Sequence, residues 1–263
     1  MKGITMCMYV QIGELTIPTY GLMILLGVLT ANAIAFFILK KYALDGNDFI
    51  ILEAYTIFGG FLGAKILYLL VSFRDIQWNH IFEMEYFNQI MQGGFVFYGG
   101  LIGGIAFVFL AGKIHHIDSI KYVRSLIFLI PWIHCFGRIG CHLAGCCYGR
   151  PYNGMLSVTY PQNALAPSGI SLFPVQLIEA GMLCLIAIVI FLLQIFVKLQ
   201  CTIELYILLY SCLRFVLEYF RYDAARGKLF FFFTSQWISI ILFVAVLGYI
   251  SSRAWRKRDI ERK

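Results

Sequence analysis

Two arginines that follow a glycine are the residues best suited to bind a phosphate group. Arg138 lies between Gly137 and Gly140, and Arg150 follows Gly149. A glycine lets the backbone approach another group closely, and a planar guanidinium can donate to two phosphate oxygens at once. The pattern therefore predicts a site for an anionic, phosphate-bearing ligand.

Further charged residues lie towards the end of the apolar stretch 202–220. Arg214 and Glu218 are four residues apart, a spacing that favours an ion pair on one helix face. Arg221 and Arg226 follow. If these arginines converge with Arg138, they form a cationic pocket at the depth of lipid headgroups. The alternative is that each arginine extends separately to the membrane surface.

Three other ionisable residues, Glu53, Lys65 and Glu179, lie within apolar stretches. Charge buried in lipid is costly, so these residues are functional candidates. Pairing between helices, with a purely structural role, is the alternative.

Cysteine and histidine residues are concentrated between positions 134 and 147. Their spacing lacks the paired C-x₂-C of zinc sites, so we expect no metal. Cys141 or Cys146 could instead be a reactive thiol that carries a covalent intermediate. A disulfide on an oxidising side of the membrane is a further alternative, and packing of small residues is another.

A second glycine-rich run covers residues 93–104 and surrounds Tyr98. It includes Gly99 and Gly100. Such a run favours close packing of helices or a re-entrant turn, from which Tyr98 could project into a cavity.

The elements that position these residues are predicted to be membrane-spanning helices. Hydrophobic residues make up 60% of the 263-residue chain and charged residues 13%, whereas about 25% are charged in soluble proteins. Helix is expected because backbone groups must be satisfied within lipid. We predict an all-α polytopic membrane protein with about seven spans, at residues 18–40, 48–72, 94–113, 120–136, 174–196, 202–220 and 234–252.

The distribution of lysine and arginine predicts the orientation. The ends of the odd-numbered spans carry most of the basic residues, so the C-terminus should be cytoplasmic and the N-terminus outside. The connection at about 137–173 should then be extracytoplasmic. Segment 73–93 should be a short amphipathic interfacial helix, with an ordinary surface loop as the alternative. We expect a single domain over residues 1–263. The net charge of +7 is explained by these membrane-flanking residues, so we expect no nucleic-acid partner.

Several motifs together resemble the bacterial phosphatidylglycerol–prolipoprotein diacylglyceryl transferase family. The frame of residues 137–150 is similar to the family signature Gly-Arg-x-Gly-Asn-Phe-x-Asn-Gly-Glu-x-x-Gly-Arg, with Cys141 and Cys146 at the first asparagine and the glutamate. Tyr98 stands where the family has histidine. The other similar motifs lie at residues 18–23, 59–65, 97–103, 173–179 and 214–221.

The resemblance implies an enzyme of the bacterial cytoplasmic membrane with its active site towards the outer leaflet. It would transfer diacylglyceryl from phosphatidylglycerol to a cysteine thiol near the signal peptide of a prolipoprotein, without a cofactor. Arg138, Arg221 and Tyr98 would be catalytic. The residues implied in lipid or substrate binding are Gly99, Gly100, Gly137, Gly140, Gly149, Arg150, Gln176, Glu179, Arg214 and Glu218.

Two other functions remain open at this point. One is a transferase with the same scaffold and a different acceptor, acting through Cys141 or Cys146. The other is a lipid-binding or transport protein without catalytic activity.

Overall fold

The computed structural model describes residues 8–162, 164–222 and 227–261, and this part of the chain is mainly helical. The helices are α1 Thr19–Lys41, α2 Gly46–Val71, α3 Met84–Gln92, α4 Phe97–His115, α5 Ser119–Leu126, α6 Leu129–Ala144, α7 Val175–Phe196, α8 Thr202–Leu217 and α9 Thr234–Glu261. Three short antiparallel strand pairs accompany them: β1 Tyr9–Ile12 with β2 Leu15–Pro18, β3 Val158–Thr159 with β4 Ser171–Leu172, and β5 Lys228–Leu229 with β6 Phe232–Phe233.

Within the described residues, five helices are long and apolar enough to cross a membrane: α1, α2, α4, α7 and the Thr234–Trp255 part of α9. The pair α5 and α6, separated by a short break, passes the same test together and makes up to six. Helix α8 has 16 residues, fewer than the roughly 20 of a typical span. The predicted all-α polytopic membrane fold is confirmed. The number seven and the orientation stay predictions.

The segment 137–150 differs from the prediction that a loop begins near Gly137. Helix α6 continues to Ala144 and ends at Gly145, whose φ of +72° suits glycine at a helix C-terminus. Gly140 lies inside this helix, and its missing side chain serves a packing contact. A Cβ there would lie 3.1 Å from the Tyr20 side chain and 3.3 Å from that of Met23. The connection therefore starts about eight residues later than expected.

The described structure divides into two compact units. The first comprises Met1–Ala35 and Leu126–Lys263, and the second comprises Phe36–Ser125. In the first unit, α6 packs against α7, α7 against α8, and α8 against α9. A buried cluster of Cys135, Ala180 and Leu183 joins α6 to α7. The expectation of a single domain stays a prediction.

In the second unit, α2 and α4 meet through glycines. A Cβ on Gly99 would lie less than 3.0 Å from the carbonyl oxygen of Gly63, and one on Gly103 would lie equally close to that of Gly59. No larger side chain fits at these positions without displacing backbone. The predicted close packing is therefore confirmed, and the alternative of a re-entrant turn within residues 97–104 is wrong because α4 is continuous there.

The side chain of Lys65 in α2 forms hydrogen bonds to backbone carbonyl groups of the same unit. Its Nζ donates to the carbonyl oxygens of Ile90 and Gly93, both at 2.6 Å, and lies 4.4 Å from the centre of the Phe95 ring. These contacts give Lys65 a structural role that holds the end of α3. The amphipathic helix expected within 73–93 is thus present as α3, and its interfacial location stays a prediction.

Candidate functional site

Four charged side chains meet in the first unit, one each from α6, α7 and α8 and one from Glu218, the residue that directly follows α8. Arg138 of α6 forms an ion pair with Glu179 of α7 through Nη2 and Oε2. The same carboxylate oxygen lies 3.8 Å from Nη1 of Arg214 on α8, and Nη2 of Arg214 lies 3.0 Å from Oε2 of Glu218. We call these four residues the charge cluster. The predicted Arg214–Glu218 pair is confirmed, and it belongs to a larger network.

The charge cluster is buried and formally neutral. Its side chains are exposed by 9% for Arg138, 1% for Glu179, 15% for Arg214 and 1% for Glu218. Buried charge is tolerated only when it is paired and hydrogen-bonded, so each arginine needs a carboxylate. The Glu179 carboxylate contacts both arginines. It therefore links α7 to α6 and α8.

The guanidinium of Arg138 uses its donors in different directions. Nη2 contacts Glu179, and Nη1 donates to Sγ of Cys141 at 3.9 Å. Nε is buried, and it has no hydrogen-bond partner within the part of the chain that the structure describes. An unsatisfied buried donor needs an explanation. A bound anionic oxygen would provide one.

The connection after α6 docks on the end of α8. The backbone of Gly149 pairs with that of Arg221 as an antiparallel bridge, and the N–H of Arg150 donates to the carbonyl oxygen of Phe220 at 2.9 Å. The Arg150 guanidinium lies 4.9 Å from the centre of the Phe220 ring. The backbones that carry Arg150 and Arg221 are therefore adjacent, as the convergence hypothesis requires. Arg226 lies outside the described residues.

Gly149 is required for this docking. A Cβ at this position would lie less than 3.0 Å from the carbonyl oxygen of Phe173 and 3.1 Å from that of Phe220. Gly149 thus serves close approach of backbone to backbone. By contrast, a Cβ on Gly137 would meet nothing within 4 Å in the described structure, so packing does not account for that glycine.

A buried hydrogen-bond network starts at Gln176 of α7, three residues before Glu179 of the charge cluster. Gln176 is fully buried, and its Nε2 donates to the Cys146 carbonyl oxygen at 2.8 Å and to the Tyr160 hydroxyl at 3.1 Å. The Tyr160 hydroxyl is 3.2 Å from Nδ1 of His142. Burial raises the pKa of Tyr160 to about 12, so its hydroxyl stays protonated and available as a donor at neutral pH. Sequence reasoning missed Tyr160, which has no distinguishing motif around it.

Three cysteines converge near Arg138. The Sγ atoms of Cys141, Cys146 and Cys147 all lie within 4.8 Å of one another. Cys141 is buried and the other two are partly buried, and all three are free thiols. We call them the thiol cluster. Their nearness was not predicted from the sequence spacing.

Tyr98, Gly99 and Gly100 belong to the second unit, in the first turn of α4. Tyr98 is 37% exposed. Gly99 makes the close contact with α2 described above, and a Cβ on Gly100 would lie 3.2 Å from the carbonyl oxygen of Gly60. Their geometry explains helix packing, and their predicted part in lipid binding stays a prediction.

Comparison with known proteins is consistent with these features. A family model described as prolipoprotein diacylglyceryl transferase matches residues 7–251. The phosphatidylglycerol–prolipoprotein diacylglyceryl transferase of Clostridium tetani (strain Massachusetts / E88) is 35% identical over 237 residues, which cover 89% of this chain and 91% of that protein. The corresponding transferase 2 of Clostridium perfringens (strain 13 / Type A) is 32% identical over 266 residues, covering 97% and 100%. The enzyme of Pasteurella multocida (strain Pm70) is 29% identical over 270 residues, covering 95% and 94%.

Proposed function

The chain belongs to the prolipoprotein diacylglyceryl transferase family, and from this premise we propose that it lipidates prolipoproteins. It transfers the diacylglyceryl group of phosphatidylglycerol to the thiol of a cysteine that follows the signal peptide of a prolipoprotein. We place it in the bacterial cytoplasmic membrane, with the reaction at the outer leaflet. The sequence supports this location through its biased distribution of lysine and arginine.

The observation that carries the proposal is the unsatisfied Nε donor of Arg138 within the charge cluster. Glu179 holds the guanidinium from one side, which leaves Nε for an oxygen of the lipid phosphate. A donor fixed in a site of low dielectric interacts strongly with developing negative charge and needs little reorganisation. Arg138 therefore binds the phosphate, and Glu179 positions Arg138.

The reaction breaks one bond and forms another. The acceptor sulfur attacks the glyceryl carbon next to the phosphate ester oxygen, and a carbon–sulfur bond forms. The carbon–oxygen bond breaks, and glycerol phosphate leaves with the electron pair. The acceptor thiol loses its proton to a base or to water. Because negative charge grows on the departing phosphate, nearby arginine charge lowers the barrier.

The other residues of the site have supporting roles in this proposal. Arg221 and Arg150 add positive charge at the docked connection, and Arg214 shares Glu179 with Arg138. Gln176 holds the Cys146 backbone, which sets the path of the connection. Tyr98 is included only because it stands where the family has histidine, and we propose on that resemblance that its hydroxyl donates a hydrogen bond or assists removal of the acceptor proton.

The alternative that uses Cys141 or Cys146 as a covalent carrier rests on one observation, the 3.9 Å contact between Arg138 Nη1 and Cys141 Sγ. A diacylglyceryl group on either cysteine would be held by a thioether, the same type of bond that the product contains. The second step would then have to break a bond as strong as the one it forms. Direct transfer to the substrate thiol avoids this step, so we favour it.

The proposal is tested in cells and with purified protein. Cells depleted of their own diacylglyceryl transferase should regain growth and a lipidated reporter when they express this chain. In vitro, the purified protein should add diacylglyceryl from phosphatidylglycerol vesicles to a peptide that contains the acceptor cysteine. A peptide with serine in place of that cysteine is the matched control. Mass spectrometry of the peptide gives the readout.

Three results are informative. Transfer to the cysteine peptide, with loss of transfer in Arg138→Lys, supports the proposal. A diacylglyceryl adduct on Cys141 or Cys146 of the enzyme, which disappears in the matching serine variant, supports the covalent alternative. Binding of phosphatidylglycerol by well-folded protein without any transfer would indicate a lipid-binding protein and would overturn the proposal.

A further inference from the structure

The thiol cluster is formed by the end of α6 and the turn that follows it. Cys141 lies in the last turn of the helix, and the left-handed Gly145 redirects the chain so that the Cys146 N–H donates to the Cys141 carbonyl oxygen at 3.1 Å. Cys147 follows with a φ of +56°. This backbone path brings three thiols from a seven-residue segment to one point.

The spacing of the sulfur atoms is close to that of a three-thiolate metal site. Metal–sulfur bonds of about 2.3 Å place the sulfurs of a trigonal site roughly 4 Å apart. The three Sγ atoms here lie within 4.8 Å of one another. The three sulfurs are therefore already gathered to about the spacing that such an ion requires.

We propose that Cys141, Cys146 and Cys147 bind a soft, thiophilic metal ion, with Cu(I) as the best-fitting class. Thiolate ligands select soft ions such as Cu(I) over hard oxygen-seeking ions. A closed structural zinc site uses four protein ligands, whereas the group found among the described residues offers three thiols. Three sulfurs match an ion that is satisfied by three-fold coordination.

Neighbouring groups support such a site. Arg138 Nη1 donates to Cys141 Sγ at 3.9 Å and would offset the negative charge of the thiolate ligands. The amide of Gln176 fixes the Cys146 backbone at 2.8 Å. Groups that hold ligands in place in this way strengthen metal binding. Ion binding releases the thiol protons to water. The proposal departs from the expectation of no metal, which rested on sequence spacing alone.

The binding test uses the full-length protein in detergent under anaerobic conditions, titrated with Cu(I) against a chromophoric Cu(I) chelator. We expect one ion per chain in the wild type and at least tenfold weaker binding in Cys147→Ser. Cys212→Ser, which removes an exposed thiol of α8, is the matched control and should bind like wild type. X-ray absorption at the copper edge should show three sulfurs at about 2.3 Å.

Several outcomes would overturn the site. These are no binding beyond that of free thiols, equal binding by Cys147→Ser, or a coordination sphere with fewer than three sulfurs. A disulfide between two of the three cysteines in freshly purified protein would also overturn it, because it would identify a redox pair. The spectroscopic count of sulfurs keeps the test decisive if Cys147→Ser fails to fold.

A further consequence rests on the proposed function. Because Cys141 contacts Arg138, an ion on the thiol cluster should impair phosphate binding. One equivalent of Cu(I) should lower the transfer rate of wild type at least tenfold, while the ratio of rates with and without Cu(I) stays near one in Cys147→Ser. Binding without any change in rate would refute the coupling. Absence of transfer in every sample would instead reject the proposed function and leave the binding result intact.

Discussion

The charge cluster makes a prediction about Arg138 that separates folding from catalysis. The cluster contains two arginines and two glutamates, all largely buried. Replacing Arg138 with methionine removes one positive charge but keeps similar side-chain bulk. Among the described residues, Glu179 would then keep only the longer 3.8 Å contact with Arg214, which also pairs with Glu218. One buried negative charge would be left uncompensated.

The size of the effect follows from that imbalance. Removing one partner of a buried ion pair costs about 3–5 kcal/mol. For a chain of this size, 1 kcal/mol corresponds to roughly 2–4 °C in Tm. Arg138→Met should therefore lower Tm by roughly 6–20 °C. Arg150→Met is the matched control. Because Arg150 is exposed, its replacement should change Tm little.

A double variant tests the reasoning directly. Arg138→Met with Glu179→Met restores neutrality and leaves the 3.0 Å pair of Arg214 and Glu218 in place. Its Tm should return to within a few degrees of wild type, because apolar replacement of a whole buried pair is often neutral. The variant should nevertheless transfer no diacylglyceryl, since the phosphate-binding donor is gone.

Thermal unfolding in one detergent and the peptide transfer assay measure the two effects. If Arg138→Met unfolds within about 2 °C of wild type, a shift equivalent to less than about 1 kcal/mol, the buried ion pair does not have the stabilising role described above. If the double variant is no more stable than Arg138→Met, the lost stability comes from packing and not from the unpaired charge. Normal transfer by the double variant would remove Arg138 from the proposed mechanism.

Three other predictions concern single residues. Gly149→Ala should destabilise the protein by about 1–3 kcal/mol through overpacking. Gly181→Ala should not, because a Cβ there meets nothing within 4 Å among the described residues; thermal unfolding compares the two variants. Gly103→Ala should lower Tm in the same way by separating α2 from α4, with Gly248→Ala as the unhindered control. Tyr98→Phe should reduce the transfer rate without lowering Tm if its hydroxyl takes part in proton transfer, and an unchanged rate would assign Tyr98 to packing.

The long helices could be predicted from the sequence because a run of about 20 apolar residues specifies a membrane span by length alone. The predicted span 174–196 corresponds to Val175–Phe196, and 18–40 corresponds to Thr19–Lys41. The end of α6 was predicted wrongly because glycine is ambiguous. Gly140 lies within the continuous helix α6 and leaves room for the Tyr20 side chain. That contact joins distant parts of the chain, so the local sequence pattern does not predict it.

The candidate site was predictable only where its contacts are local in the sequence. Arg214 lies in the last turn of α8 and Glu218 directly follows that helix, so their four-residue spacing was sufficient to predict the pair. The pairing of Arg138 with Glu179 joins two helices, and sequence could offer only the two residues as candidates. The thiol cluster depends on the left-handed turn at Gly145, and cysteine spacing does not reveal such a turn.

The glycine contact between α2 and α4 also has a mechanical consequence. Where two helices touch through backbone, the contact contains no rotamers that could rearrange to accommodate a new neighbour. Gly63 and Gly99 therefore tie the two helices together as one stiff element, which moves as a whole. We expect the helix separations that admit a lipid chain to occur along contacts filled by long, flexible side chains. The backbone amides on the facing sides of α2 and α4 should exchange hydrogen slowly.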